Sequence, residues 1–191
     1  MFFPTSIFNY IFTRFLIFLL TCVVKLIIGL FFLPEIKMNR ITCRVLESFN
    51  NELLEKIKKL EIENLGVDAA VNEWQIPVII RYGKFLVAEG DKDEIVGVCE
   101  IIRDWKEKKT AFIHSFYIVK KLRRSGIGKK LLAFAIKLLA KENFSSVELT
   151  VDPKNSAALN FYRYSGFTVM ERRKNEYGNG NDRLLMKLKL G

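Results

Sequence analysis

The chain has 191 residues, half of them apolar, with 16 Phe and a formal charge of +10. That length suits one domain plus an extra segment rather than two cores, and the apolar content argues against wholesale disorder. Cys22, Cys43 and Cys99 are widely spaced and His114 is the single histidine. This set is too small for a zinc site or a disulfide framework, so no metal is expected and a reducing compartment fits. The positive charge suits an anionic partner, whether nucleic acid, a membrane face or a phosphorylated cofactor, and equally a basic, well-solvated surface. No segment interleaves aromatic and basic residues as a nucleic-acid binder would, so no nucleic acid is expected.

Residues 1–37 differ from the rest. They hold half of the Phe and no acidic residue before Glu35. The run at 15–33 (FLIFLLTCVVKLIIGLFFL) is about long enough to cross a bilayer as a helix, although Lys25 near its middle costs on the order of 2.5–3.5 kcal/mol. No small-x-small cleavage site follows it, as a signal peptide requires. Three readings stand: a membrane anchor through 15–33, an internal start at Met38, or a buried core helix. The last accords least with a run that is apolar on nearly every face. In the first two, residues 38–191 form the remaining domain.

That domain alternates strand and helix patterns, which predicts an α/β or α+β layer fold. Ile41–Leu46 reads as a strand. Asn50 or Asn51 caps a helix with Leu53, Leu54, Ile57 and Leu60 on one side, and a short helix follows over Val67–Trp74. Lys84–Glu89 and Ile95–Ile102 read as a hairpin about the turn Gly90–Asp93. Thr110–Val119 is a longer, nearly unbroken strand of the kind found mid-sheet. A helix runs from Gly126 to about Glu142, then a strand over Ser146–Val151 and a helix over Ser156–Ser165. Two strands, Phe167–Arg172 and Leu184–Leu190, close the chain.

Chemistry enters between the Thr110–Val119 strand and the next helix, where the loop reads KKLRRSGIGKK. Free N–H groups at a helix start, with the positive end of its dipole, form an anion site. Gly126 and Gly128 allow close approach to the backbone, and Arg123, Arg124, Lys129 and Lys130 add charge. A tight turn with solvated basic residues is the plainer reading. The loop is neither G-x-x-x-x-G-K-[ST] nor G-x-G-x-x-G. It does match R/Q-x-x-G-x-G/A, in Arg123, Gly126 and Gly128, and so resembles the pyrophosphate loop of the GNAT acyltransferase superfamily.

A second segment follows the next strand: V-D-P-K-N-S-A-A-L-N-F-Y-R-Y-S-G-F, Val151 to Phe167. Read physically, Asn155 caps a helix or binds a ligand. Ala157 and Ala158 permit close packing, Tyr162 lies two turns on, and Gly166 stops the helix. Taken alone, this is equally a well-capped helix whose Tyr162 is a half-buried core aromatic. The pattern is similar to the second GNAT signature, in the right order and spacing after the first.

This resemblance, which covers residues 38–191, implies the GNAT fold: a mixed, mostly antiparallel, splayed sheet of about seven strands flanked by about four helices. It implies acetyl-CoA as cosubstrate, wedged between the strands Thr110–Val119 and Ser146–Val151, and an amine acceptor. Backbone near Phe116 and Ile118 would bind the acetyl and pantetheine portions. Arg123, Arg124, Ser125, Gly126, Ile127, Gly128 and Lys129 would cradle the pyrophosphate. Asn155 would touch the cofactor arm, and Tyr162 would protonate the departing thiolate. Direct attack by the amine needs no covalent enzyme intermediate, so Cys99 is expected to be an ordinary strand residue.

The chain most resembles the ribosomal-protein alanine N-acetyltransferases, in which a Glu precedes the valine of the second motif as base. Here that place is Thr150. Glu148, on the same face of the strand and roughly 7 Å away, is either a base acting through water or a surface residue. His114 and Glu100 are the other base candidates. Tyr177, in the loop Glu176–Arg183, either contacts the acceptor or pins a Gly-rich turn. A cytosol-facing catalytic domain is the expected location.

Overall fold

The computed structural model describes residues 40–67, 70 and 72–191. They belong to a compact unit spanning Asn39–Gly191. The run at 15–33, with the three readings of its segment, lies outside the described residues. Among those described, no helix is long and apolar enough to cross a membrane.

The elements run β1 Thr42–Val45, α1 Asn51–Leu65, α2 Gln75–Tyr82, β2 Lys84–Glu89, β3 Ile95–Arg103, β4 Thr110–Ile118, α3 Ile127–Lys141, β5 Ser146–Val151, α4 Ser156–Tyr164, β6 Thr168–Arg173 and β7 Arg183–Lys189. Asn50 caps α1, its Oδ1 accepting the N–H of Leu53 at 2.8 Å. Gly66 ends that helix in a left-handed conformation, its N–H bonded to the Ile62 carbonyl.

The sequence placed the second helix about two turns too early. Residues 67–74 are not helical where described, and the helix is Gln75–Tyr82. Asn72 sets its start, with Oδ1 accepting from the N–H groups of both Trp74 and Gln75. Pro77 falls in the first turn, where its missing N–H has no partner to lose.

One seven-stranded sheet carries the fold, in the order β1-β2-β3-β4-β5-β7-β6. Every pair is antiparallel except β4 with β5. Helices α1 and α2 cover one face, where Ile57, Ile76, Ile79 and Ile80 pack on Phe85, Val87, Val98 and Tyr117. Helices α3 and α4 lie on the other: Leu131 approaches Gly97 and Ile118, and Phe161 approaches Phe116. Both faces are covered over β2–β4, which is why these strands read as continuous apolar runs.

Strand β4 contains a bulge. Glu100 faces Ser115 and Ile101 faces Ile113, so His114 is the extra residue. Beyond it, Ser115 and Tyr117 turn toward α1, while Phe116 and Ile118 turn toward α3 and α4.

Candidate active site

The parallel ladder is short. It runs from Thr110 opposite Ser146 to Ile113 opposite Leu149, and then the two strands part. A buried hydroxyl pair, Thr110 Oγ1 and Ser146 Oγ at 2.8 Å, fastens the closed end. At the other end, residues 114–118 of β4 have no β5 partner, and on that side the Ile118 carbonyl is taken by the Arg123 side chain. Phe116 and Ile118, expected at a cosubstrate wedge, lie in this stretch.

The open end leads straight to the loop before α3. Arg124 and Gly126 both have positive φ, +65° and +85°, and a Cβ at Gly126 would meet only open space. Gly126 gives α3 no side-chain cap. The first helical bond runs from the Lys130 N–H to the Gly126 carbonyl. The N–H groups of Ile127, Gly128 and Lys129 therefore belong to the open first turn. Gly128 sits close to Ile118 and Phe161, which brings the helix start against the end of β4.

The basic residues here divide into two sets. Arg124 and Lys129 are exposed at the loop. Arg123 is exposed too but bonds back to the backbone, with Nε donating to the Ile118 carbonyl at 3.0 Å and Nη2 to the Asn64 carbonyl at 3.2 Å. Lys130 donates to the Ile41 carbonyl, and Ser125 Oγ to the Leu122 carbonyl at 2.6 Å. The side chains of Arg123, Ser125 and Lys130, though exposed, thus spend donors on backbone carbonyls of the protein.

Helix α4 forms the far wall. Asn155 caps it, Oδ1 accepting from the Ala158 N–H at 3.1 Å, which leaves the amide nitrogen as its donor end. Tyr162 is 7% exposed and sits in an aromatic box. Its ring centroid lies 6.2 Å from Phe116, 5.2 Å from Phe161 and 5.5 Å from Phe167. Burial, and secondarily Cys99, pushes the phenol pKa above its ordinary value, so the hydroxyl keeps its proton throughout the neutral range. Cys99 is itself a buried strand residue whose pKa burial raises; it is a thiol, not a thiolate.

A sheet parted beside an uncapped, cation-flanked helix start, with a tyrosine on the far wall, agrees with what the sequence motifs implied. The sequence profile of the acetyltransferase (GNAT) family matches residues 50–167. The chain belongs to the GNAT family. N-alpha-acetyltransferase 50 of Danio rerio is 31% identical over 101 residues, 52% of this chain and 60% of that protein, so the match spans less than two thirds of the relative. Among solved structures, the ribosomal-protein-S18-alanine N-acetyltransferase of Escherichia coli superposes with a TM-score of 0.65 at 18% identity, covering 80% of this chain and 95% of that one. An acetyltransferase of Bacillus subtilis solved in complex with CoA gives 0.64 at 16% identity, covering 80% and 100%. These two likenesses establish the fold, a seven-stranded mixed sheet with four helices among the described residues.

Two more of the expected residues lie on the face of β5 opposite α3 and α4. Glu148 and Thr150 lie on that side. Glu148 stands opposite Lys187 on β7 and accepts from its Nζ at 2.8 Å, so a cation already occupies one of its oxygens. Thr150 Oγ1 lies 3.4 Å from the Tyr177 hydroxyl, and Arg183 stacks over the Tyr177 ring at 4.9 Å. Tyr177 thus pins its loop across β5 while remaining half exposed.

His114 occupies the bulge, one residue past the last parallel pair, and is exposed at the surface. The protein packed around it still lowers its pKa, which leaves the imidazole neutral at pH 7 and able to accept a proton.

Glu100 is fully buried, opposite Ser115 and near Glu61 of α1. Burial, with Glu61 adding to it, raises its pKa to about 9. It is therefore a neutral acid at pH 7, cut off from solvent. No group of three His, Cys, Asp or Glu side chains among the described residues is arranged to hold a metal.

The sequence reading missed Glu61, Asn64 and Lys187 as site neighbours. The signal was present for two of them, since Glu61 and Asn64 follow Ile57 at i+4 and i+7 on the buried face of α1.

Proposed function

We propose that the chain is an acetyl-CoA-dependent N-acetyltransferase acting on a primary amine, with a protein N-terminus or lysine ahead of a small-molecule amine. One observation carries the proposal: β4 parts from β5 where β4 meets the uncapped, positively flanked start of α3. The residues fit the cosubstrate, because the open space at Gly126 and the N–H groups of α3's first turn provide a cradle for a pyrophosphate. The *Danio* relative's name and the CoA-bound *Bacillus* structure support both halves of the reading.

In this reading Arg124, Gly126, Ile127, Gly128 and Lys129 hold the pyrophosphate, with Arg123 and Ser125 tying the loop back to the backbone. Asn155 donates to the cofactor arm, and the backbone at Phe116, with the N–H of Ile118, holds the pantetheine and acetyl portions. When bound, acetyl-CoA supplies an acetyl group activated as a thioester. His114 takes the proton from the acceptor's ammonium group, directly or through water, because it is neutral at pH 7 and stands at the parting. Tyr162 keeps its hydroxyl proton and delivers it toward sulfur, as its raised pKa allows. Glu148, partnered by Lys187, serves the acceptor side of the site as part of an ion pair. The free thiols of Cys43 and Cys99 support a reducing, cytosol-facing location.

A second reading, a silent acyl-CoA-binding module, draws on Thr150 standing where related enzymes carry a base. The two readings separate in one assay. The full chain is incubated with isotope-labelled acetyl-CoA and a set of α-amino peptides, lysine peptides and small amines, with mass-spectrometric detection. Label on α-amino groups is the expected result. Tyr162→Phe and His114→Gln each lower kcat on the order of 10²-fold, while Glu148→Gln leaves it within about threefold. Label confined to lysine or small amines overturns the N-terminal preference and keeps the chemistry. No transfer despite CoA binding establishes the silent module.

A further inference from the structure

The end of the sheet away from the parting, where β3 turns into β4, holds two aromatic side chains out in water. Trp105 is 89% exposed and Tyr82 is 85% exposed. The turn beneath Trp105 is well fixed. Asp104 Oδ1 accepts from the N–H groups of Lys106 at 2.7 Å and Glu107 at 3.0 Å, and the Asp104 N–H bonds to the Thr110 carbonyl. Lys84 pairs with Ile101 and Gly83 lies against the Ile101 carbonyl, which brings the Tyr82 end of α2 to this same end of the sheet. Val78, one helical turn before Tyr82, is exposed as well.

Charge is divided unevenly around these rings. Residues 103–109 (RDWKEKK) carry four cations and two acids. Asp104 spends its carboxylate on the backbone, and Glu142, just past the end of α3, is paired with Lys84 at 2.7 Å. Lys106, Lys108 and Lys109 are exposed, and none of them is in an ion pair among the described residues. The end therefore presents rings and unpaired cations together.

Trp and Tyr beside Lys settle at the headgroup level of a bilayer, where the ring meets acyl carbon and the ammonium group meets an anionic lipid. Trp105 stands out from a hairpin tip rather than lining a groove, which suits entry into a fluid interface. The apolar run at 15–33, read above as a candidate anchor, favours a bilayer over a nucleic acid as the anion. We infer that the β3–β4 hairpin, with Tyr82 beside it, docks on an anionic lipid bilayer. Trp105 enters the headgroup region, and Lys106, Lys108 and Lys109 lie over the charged headgroups. Strand β4 is nine residues long, so the Ile118 end, where the cosubstrate loop begins, is roughly 27 Å along the strand from Thr110. A domain docked this way keeps the parting clear of lipid.

The chain has two tryptophans, so Trp74→Phe leaves Trp105 as the single reporter. The full chain in this form is mixed with vesicles of phosphatidylcholine, with or without phosphatidylserine. Emission is recorded together with quenching by bromine-labelled lipid. The expected result is a blue shift and lipid quenching with phosphatidylserine vesicles, reversed by added salt. Replacing the three lysines together, by Lys106→Gln, Lys108→Gln and Lys109→Gln, is expected to raise the lipid concentration needed on the order of 10²-fold, about fivefold for each lysine. In Trp105→Phe the remaining Trp74 is expected to keep its emission. An unshifted Trp105 with phosphatidylserine vesicles overturns the inference. So does an equal shift on both kinds of vesicle, which would trace the contact to 15–33, or a full response in the triple lysine variant. A shift produced by RNA and not by vesicles makes this end a nucleic-acid surface and overturns the bilayer. Each of these outcomes leaves the acetyltransferase reading untouched.

Discussion

Helices α1 and α3 are each fifteen residues long and begin in opposite ways. The start of α1 is closed by the protein, with Asn50 accepting from the Leu53 N–H. The start of α3 has a glycine in the capping place, no side-chain cap, and lysines and arginines around it. Polar groups on α1 also point inward, where Glu61 faces Glu100 and Asn64 binds the loop. On α3 the unmet groups point outward. A helix of average composition gains stability from a cap, so a start that lacks one, and gathers cations instead, is arranged for an external anion. The difference between the two starts separates structure from function more clearly than either helix does alone.

Closing the open start is the strongest way to break this comparison. Lys129→Glu puts an acid in the first turn of α3, where the helix dipole favours it, and repels a bound anion. The variant is expected to melt slightly higher than wild type while its affinity for CoA falls about tenfold, measured by calorimetry beside a thermal scan. Equal CoA affinity would remove the phosphate assignment from this loop.

The next effect concerns the inward-facing groups. The Glu100 carboxyl is raised from 4.5 to about 9, so the folded state binds its proton more tightly than the unfolded state does. The stability it contributes is complete below the unfolded value and is lost as pH rises toward 9. Glu100→Gln removes that titration. Between pH 5 and pH 9 the wild type is expected to lose on the order of 5 °C of Tm relative to the variant, and parallel curves would refute the burial of a neutral acid.

The smallest effect belongs to the closed start. Asn50→Ala is expected to cost about 1 kcal/mol in a denaturant titration and to leave CoA affinity unchanged. A change in affinity there would erase the distinction between the two helices.

Much of this was legible in the sequence for local reasons. Glycines, a capping asparagine and a period switching from 2 to 3.6 fixed α3, β5 and α4 to within a residue or two, and the two motifs fell where strand meets helix. What was missed depends on partners distant in the chain. Helix α2, expected over Val67–Trp74, starts only at Gln75, where Asn72 accepts from the Trp74 and Gln75 N–H groups. Arg123 matched the motif, yet its guanidinium is turned to two carbonyls, one of them 59 residues away. Glu148 looked available as a base, and only the β5–β7 register, with Lys187 directly across, shows it paired. Glu100 sits in a strand with no alternation, so nothing in its neighbours marked the depth at which it is buried.

The extra residue in β4 has a consequence for how the chain tolerates change. Ile113 and Ser115, two positions apart, should share a face in a regular strand, yet Ile113 stands opposite Ile101 and Ser115 opposite Glu100, on opposite sides of the sheet. His114 therefore acts as a phase shift between two halves of one strand: before it the pleat is in step with β5, and after it with α1 and the aromatic box. Removing the residue would do more than delete an imidazole. It would let Ile113 and Ser115 pair in succession with Ile101 and Glu100 in an unbroken ladder, each keeping the face it already has, and would remove the local kink and added twist of the bulge. Substitution at this position tests chemistry, whereas a one-residue deletion there tests the bulge itself, with the facing of the core kept.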